Sequence, residues 1–236
     1  MILHKLFGKF QLKIKNRESA GNILAGSVKD TLKKMDRPDI IVIGLPRGGF
    51  IVAEIIAKKL SCKLYMTLVK RLRAPYNEEV AIGAVAGDGN SYLNKSLIKE
   101  LKISDEYINN ELSYQLQEIN RQANMYNEGD KNFLDDKDIN VNGKTIVIVD
   151  DGAATGSTIL ATVTSLRKKY NPERIIVAVP VSPKSTVDLL RREGIDHIEV
   201  ITSPSDSNFG SIEQFYRNFD QVSDDQILEI IHTLKK

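Results

Sequence analysis

The sequence has few of the residues that form disulfides or metal sites. Its 236 residues include one cysteine, Cys62, and three histidines, His4, His197 and His232. A single cysteine excludes an intrachain disulfide and is typical of a reducing compartment. The histidines lie far apart and have no metal-ligand spacing. Since Cys62 opens an apolar run, we interpret it as a core residue, and we expect neither a disulfide scaffold nor a zinc site.

A surplus of charge of either sign and long apolar runs are also absent. The chain has 33 basic and 31 acidic residues, so its formal net charge is only +2. That balance gives no reason to expect a nucleic acid or a membrane surface as a partner. No apolar run approaches the ~20 residues that a membrane helix needs, and residues 1–15 lack the apolar core of a secretion signal. We therefore expect a soluble, cytoplasmic protein.

Strand-like and helix-like patterns alternate along most of the chain. Hydrophobic residues make up 42% of it, as in ordinary folded proteins. Short β-branched runs predict buried strands at 39–45, 63–69, 145–150, 174–181 and 197–202. Apolar stripes predict helices at 16–34, at 50–60, from about Ser157 and at 185–193. This order predicts an α/β fold with a central, mostly parallel sheet and helices on both faces.

Four segments depart from this alternation. Residues 70–94 mix charge, glycine and proline, which predicts a flexible loop with a hairpin-like excursion. Residues 104–127 predict a long polar helix within a helical insertion at about 95–140. Residues 203–222 are irregular and aromatic and predict a small C-terminal hood. The last helix begins at Ser223 with a capping-box pattern, and we expect residues 1–236 to form a single domain.

The stretch "TIVIVDDGAATGST", residues 145–158, carries the strongest functional signal. Ligands of open α/β sheets bind at the carboxyl ends of the strands, where Asp150 and Asp151 are expected to lie. The following glycines, Gly152 and Gly156, permit close backbone approach. Free N–H groups at the start of the next helix form an anion site. The hydroxyl groups that would add donors to it belong to Thr155, Ser157 and Thr158. The loop therefore fits a phosphate.

The two carboxylates indicate what lies beside that phosphate. Ionised acids would repel it, so they are expected to reach past it to neutral hydroxyl groups or to a divalent cation. A phosphate with a diol about one sugar ring away is a ribose 5-phosphate. A P-loop would need a lysine before the hydroxyl residue, and a dinucleotide fingerprint would need G-x-G-x-x-G after the first strand. The remaining alternative is an ordinary turn with acidic caps.

The segment "VIVDDGAATGST" resembles the phosphoribosyl-pyrophosphate (PRPP) motif of type I phosphoribosyltransferases. This resemblance implies that Asp150 and Asp151 hold the ribose hydroxyls. It also implies that the loop cradles the 5-phosphate, and that loop consists of Gly152, Ala153, Ala154, Thr155, Gly156, Ser157 and Thr158.

Further matches extend the resemblance to roughly residues 16–235. "GLPRGG" lies where the family has its pyrophosphate loop and contains Pro46, Arg47, Gly48 and Gly49. An arginine is a planar, permanently charged donor for phosphate oxygens. "VKRLR" ends the next predicted strand, where the family places basic residues over the pyrophosphate; here they are Lys70, Arg71 and Arg73. A solvated charge cluster is the alternative for this last group.

The hood and the general layout add to the resemblance. Phe215 and Tyr216 are candidates to stack on a base, together with Phe209 and Phe219, although each could instead pack the hood. "NEEVAIGAV" and "FYRNFDQVSDDQ" resemble a narrower group of predicted phosphoribosyltransferases whose substrate is unassigned. A homodimer is common in the wider family.

The resemblance implies transfer of the 5-phosphoribosyl group from PRPP to a nitrogen nucleophile such as a nucleobase, with release of pyrophosphate. Mg²⁺ would act through PRPP and water near Asp150 and Asp151. A loop at 74–92 would close over the site, and Glu79 would be a base, a contact to metal-bound water or a surface residue. "LPRGG" favours 6-oxopurine acceptors and purine salvage, whereas "VAVPVSP" lacks the lysine of those enzymes. The alternative function is a regulatory protein that binds PRPP or a nucleotide without catalysis.

Overall fold

The computed structural model describes residues 13–35, 39–126 and 140–234. In chain order the helices and strands are α1 (Arg17–Leu32), β1 (Ile40–Gly44), α2 (Gly48–Leu60), β2 (Lys63–Met66), β3 (Val69–Ala74), β4 (Asn77–Ala86), β5 (Ser91–Leu93), α3 (Lys95–Glu100), α4 (Asp105–Tyr126), β6 (Thr145–Val149), α5 (Ser157–Lys169), β7 (Arg174–Val181), α6 (Lys184–Arg192), β8 (His197–Thr202) and α7 (Asp224–Leu234). The predicted connection at 127–144 falls largely outside the described residues, as does most of the 1–15 segment.

A parallel sheet forms the centre of the fold. Its order is β2-β1-β6-β7-β8, and each neighbouring pair in it is parallel. The predicted α/β fold with a central parallel sheet is therefore confirmed. All of these strands run the same way, but from β1 the chain adds β2 on one side and later β6, β7 and β8 on the other. In such sheets the ligand crevice lies at the carboxyl ends of the two strands at this switch point, here β1 and β6.

Each face of the sheet is covered by helices because both sets of strand side chains are apolar. Val42 of β1 packs into a buried cluster with residues of α1 and α2, such as Leu24 and Phe50. Its neighbour Ile43 points to the opposite face, into a cluster with residues of α5 and α6, such as Leu160. Alternation of side chains along a strand explains this division, and burial on both faces explains the continuous β-branched runs.

Residues 69–93 form a second sheet rather than a loop with a small excursion. It has three strands in the order β3-β4-β5, and both pairs are antiparallel. The strand predicted at 63–69 is wrong at its end, because β2 stops at Met66 and Val69 already belongs to this second sheet. Most of β4 is buried, which its small residues allow: a Cβ on Gly83 would lie 2.2 Å from the carbonyl oxygen of Tyr92.

The predicted insertion and hood flank the carboxyl edge of the central sheet. The long helix is present as α4, preceded by the short helix α3, which the sequence analysis did not predict. The hood at 203–222 contains two short 3₁₀ turns, Asp206–Asn208 and Glu213–Phe215. The capping box of α7 is confirmed, since the N–H of Ser223 donates to Gln226 Oε1 at 3.0 Å and the N–H of Gln226 donates to Ser223 Oγ at 3.2 Å.

Among the helices of the described residues, none combines the length and apolar character that crossing a membrane requires.

Candidate functional site

A cavity of about 710 Å³ opens at the carboxyl ends of β1 and β6. It brings together segments that are distant in the chain, namely the loop after β1, the strand β3 and the loop after β6. The residues named from sequence that line it are Pro46, Arg47, Lys70, Arg71, Arg73, Glu79, Asp150, Asp151, Gly152, Ala153, Ala154, Thr155, Gly156, Thr158 and Phe219. Six others do not line it: Gly48, Gly49, Ser157, Phe209, Phe215 and Tyr216.

The loop after β6 presents backbone N–H groups to this cavity. Gly156 precedes α5 with a φ of 72° and, as a glycine, offers no capping side chain. The N–H of Ser157 makes only a long contact, 3.4 Å, to Thr155 Oγ1. The free N–H groups of an uncapped helix start form a favourable position for an anion. Behind the loop, Thr186 Oγ1 donates to the carbonyl of Ala154 at 2.7 Å, and the N–H of Ala153 donates to the carbonyl of Val181 at 2.9 Å. These bonds fix the loop in place without occupying its open side.

Asp150 is held against the loop and is difficult to ionise. Its carboxylate accepts from the N–H of Asp151 at 2.8 Å and from Thr158 Oγ1 at 3.4 Å. Burial, and then the charge of Asp151, raise the pKa of Asp150 well above its usual range. Because the buried carboxylate and its neighbour repel each other, hydroxyl donors or a cation in the cavity would stabilise their ionised forms.

Asp151 is paired with a residue that the sequence analysis did not identify. Arg17 Nε donates to Asp151 Oδ2 at 2.7 Å, and both side chains are mostly buried. Arg17 also donates to the carbonyl of Asp220 at 2.7 Å and lies over the ring of Phe219, 3.9 Å from its centroid. One guanidinium thus connects α1, an acid of the site and the hood.

The loop after β1 packs directly on the two acids. A Cβ on Gly48 would lie 1.8 Å from Asp151 Oδ2, and a Cβ on Gly49 would lie 2.6 Å from Cα of Asp150. Both glycines are therefore required by close packing between the two loops. The Pro46–Arg47 peptide bond is cis.

Arg47 reaches into a polar cluster on the other side of this loop. Its guanidinium lies 3.6 Å from Asp224 Oδ2, at the start of α7. The hydroxyl of Tyr126, the last residue of α4, donates to the same carboxylate. Burial, followed by the hydrogen bond to Asp224, raises the pKa of Tyr126, so its hydroxyl stays protonated.

The strand β3 contributes a row of cations. Partial burial lowers the pKa of Lys70, while the nearby charge of Glu118 on α4 opposes this shift. Arg73 pairs with Glu78 at 2.8 Å, and its N–H donates to Glu111 of α4 at 3.0 Å. Glu79 lines the cavity but is exposed at the start of β4.

The hood lines the cavity with Ile212 and Phe219 and not with Phe215 or Tyr216. The rings of Phe215 and Tyr216 are each 2% exposed and pack in a buried cluster with Ile14, so in this structure they build the hood rather than face a ligand. The Tyr216 hydroxyl donates to the carbonyl of Asp151 at 2.9 Å. Of the four aromatic candidates only Phe219 lines the cavity, and Ile212, which was not a candidate, lies there with it.

Other lining residues were not among the candidates named from sequence. They include Arg17, Gln115, Arg121, Gln122, Ile212 and Asp224. A signal existed for the two glutamines, because Ile108, Leu112, Ile119 and Tyr126 continue the same spacing of three and four residues along α4. A polar residue on the apolar face of a helix indicates a polar contact. For Arg17 the sequence offers no such pattern.

The fold and the site together define an α/β protein with a glycine-containing loop before a helix, two adjacent acids and a basic wall. The model of the phosphoribosyl transferase domain family matches residues 12–219. The chain therefore belongs to this family, and the predicted membership is confirmed.

Individual relatives agree with this assignment. Two proteins of Mycobacterium tuberculosis, from strains CDC 1551 and H37Rv and each named "Putative phosphoribosyl transferase", are 31% identical over 216 residues. The match covers 92% of this chain and 46% of each relative, so the chain spans about half of their length. The crystal structure of TT1426 from Thermus thermophilus is 29% identical with a TM-score of 0.71, and the match covers 93% of this chain and 97% of that chain.

Proposed function

We propose that the protein transfers the 5-phosphoribosyl group of PRPP to a nitrogen nucleophile and releases pyrophosphate. The observation that supports this most is the shared cavity, in which an uncapped helix start, two adjacent acids and several cations face the same space. A ligand with a phosphate, a diol and a pyrophosphate has matching chemistry.

Each wall of the cavity has a role in this proposal. The loop 152–158 binds the 5-phosphate through the N–H groups at the start of α5. Asp150 and Asp151 accept hydrogen bonds from the ribose hydroxyls. As the bond from C1 to pyrophosphate breaks, negative charge grows on the leaving group, and Arg47 together with Lys70, Arg71 and Arg73 stabilises it. Glu79 is placed to contact the acceptor or bound water from the exposed rim.

The two acids also fit a role for Mg²⁺. Burial, and after it the charge of Asp151, raises the pKa of Asp150, and a cation nearby would relieve the repulsion between the two acids. Within the described residues no group of three potential metal ligands converges, so the ion would be held mainly by oxygens of PRPP and by water, close to Asp150 and Asp151. When bound, Mg²⁺ would neutralise charge on the pyrophosphate.

A nucleobase is the acceptor that the hood favours. Ile212 and Phe219 offer apolar contact beside the cavity, and Arg17 lies over the ring of Phe219. A flat, polar-edged base suits such a surface better than a flexible amine. The 6-oxopurines are the first acceptors to test.

The test is release of pyrophosphate from PRPP in the presence of Mg²⁺ and a panel of nucleobases. Base-dependent release with one member of the panel is the expected result and names the acceptor. Tight binding of PRPP without release in the presence of any base or amine would instead support a regulatory PRPP-binding protein.

A further inference from the structure

Gln122 of α4 is a buried polar side chain that faces the cavity without a partner. The residue is 8% exposed and lines the cavity. Its amide makes no hydrogen bond or other polar contact with any part of the chain that the structure describes. The amide atoms themselves are not sealed off, because the buried polar atoms that lack a partner among the described residues are Thr145 Oγ1 and Ser182 Oγ. They therefore stay open to the cavity, where a ligand can reach them.

Gln115, one heptad earlier on the same face of α4, provides a direct contrast. It is also buried, at 3% exposure, but its Nε2 donates to Glu111 Oε1 at 2.9 Å. Both glutamines lie on the buried face of α4, which packs toward β3. Along this face Gln115 lies between Ile108 and Ile119, and Gln122 lies between Ile119 and Tyr126. Packing alone therefore explains neither polar residue, and an internal hydrogen bond explains only Gln115.

The surroundings of Gln122 identify the kind of ligand. Arg121, the preceding residue, lines the same cavity as Arg47 and Lys70. Lys70 lies close enough to Arg47 and Arg121 for each of these charges to lower its pKa, after burial, which has the largest effect. Cations from three separate elements thus converge near Lys70. Two of them are already ion-paired, Arg47 with Asp224 at 3.6 Å and Arg121 with Glu118 at 3.2 Å, whereas no ion pair is seen for Lys70 among the described residues. Such a space suits a polyanion.

We propose that α4 forms the far wall of the pyrophosphate subsite, with the amide of Gln122 donating to a pyrophosphate oxygen and Arg121 supplying charge. The proposal rests on the proposed phosphoribosyl transfer and assigns its leaving-group contacts to a helix outside the recognised motifs. An amide donates hydrogen bonds without adding to the repulsion among the cations. Gln122 therefore favours ligands with a pyrophosphate over ribose 5-phosphate, whose phosphate lies at the α5 loop.

The variant that tests this is Gln122→Met, which preserves length and shape but removes the donor. Affinity for inorganic pyrophosphate with Mg²⁺ should fall about tenfold, the effect of one hydrogen bond to a charged group. Affinity for ribose 5-phosphate should stay unchanged. The melting temperature without ligand should change little, because the Gln122 amide has no internal hydrogen bond to lose.

Two matched variants on the same helix control for effects on folding. Gln117→Met changes an exposed glutamine outside the cavity and should alter neither affinity. Gln115→Met removes a paired amide and should lower the melting temperature. That decrease should exceed any change in the melting temperature of Gln122→Met.

The outcomes separate this inference from the function on which it rests. Unchanged pyrophosphate affinity in Gln122→Met, or an equal loss for both ligands, would overturn the role of α4 while leaving phosphoribosyl transfer intact. If the unaltered protein bound neither pyrophosphate, ribose 5-phosphate nor PRPP, the proposed function itself would be wrong, and the assignment of α4 with it.

Discussion

Arg17 Nε and Asp151 Oδ2 form an ion pair at 2.7 Å that joins the first turn of α1 to the end of β6. The two residues are 134 positions apart in the chain, so only the folded structure brings them together. The same guanidinium holds the hood through the carbonyl of Asp220 and the ring of Phe219. Arg17 thus balances the charge of Asp151 and keeps the hood next to the cavity.

Replacing Arg17 with methionine should destabilise the protein without ligand by roughly 2 kcal/mol, because Asp151 is left mostly buried without its cation. Arg17→Lys should restore only part of the loss, since one ammonium cannot reproduce the fork to Asp151 and Asp220. Chemical denaturation measures both. In a double variant with Asp151→Asn the combined loss should be smaller than the sum of the single losses, and simple additivity would contradict the ion pair.

Gly48→Ala should disrupt the site, because the new Cβ would lie 1.8 Å from Asp151 Oδ2. The carboxylate or the loop must move, and PRPP affinity should fall at least tenfold. Gly26→Ala is the control, since a Cβ there meets nothing within 4 Å and this exposed position lies inside α1. That change should stabilise the protein by about 0.5–1 kcal/mol. Equal PRPP affinity in the two variants would argue against the packing of Gly48 on Asp151.

The raised pKa of Asp150 predicts how stability depends on pH. Below its ordinary pKa of about 4, the carboxyl is protonated in both the folded and the unfolded state, so its ionisation does not reduce the free energy of unfolding. Above that value the unfolded state ionises first, so stability is lost as pH rises toward the folded-state pKa. The neutral variant Asp150→Asn should escape this loss. Its melting temperature should therefore exceed that of the unaltered protein at pH 7, and the difference should shrink toward pH 4; a constant difference would contradict the assignment.

Arg47→Ala should weaken binding of pyrophosphate more than binding of ribose 5-phosphate, because Arg47 lies on the loop opposite the α5 phosphate position. A loss of about tenfold or more for pyrophosphate is expected for a charge-assisted contact. Arg191→Ala, which changes an exposed arginine paired with Asp188, should affect neither ligand. Equal losses for both ligands in Arg47→Ala would place the pyrophosphate elsewhere.

The alternation of apolar runs was enough to predict the central sheet. Each buried strand is a continuous β-branched segment, and the runs at 145–149 and 174–181 correspond closely to β6 and β7. The second sheet was harder to predict because β4 contains charged residues at its start and small residues in its buried part, where α5 and the long helix pack against it. The structure of β4 thus depends on packing against elements that are distant in the chain, which the pattern of neighbouring residues does not reveal.

The same distinction applies to the site. The motif at 145–158 lies in a single segment, so its strand, acids and loop were predicted from neighbouring residues. Arg17 and Gln122 enter the cavity from helices separated from that motif along the chain, and no short motif marks either one. Phe215 illustrates the converse: its aromatic character allowed either a base contact or packing of the hood, and only the folded structure places it inside the hood cluster.

Calorimetric titration of PRPP with Mg²⁺ into the unaltered protein and into Asp151→Asn tests the central claim most directly. Thermal unfolding first establishes that both proteins are folded. We expect measurable binding to the unaltered protein and at least tenfold weaker binding to the variant, because the ribose hydroxyls lose a charged acceptor. Equal affinity of the two proteins for PRPP, or no binding to either, would contradict the assignment of the ribose 5-phosphate site to the end of β6.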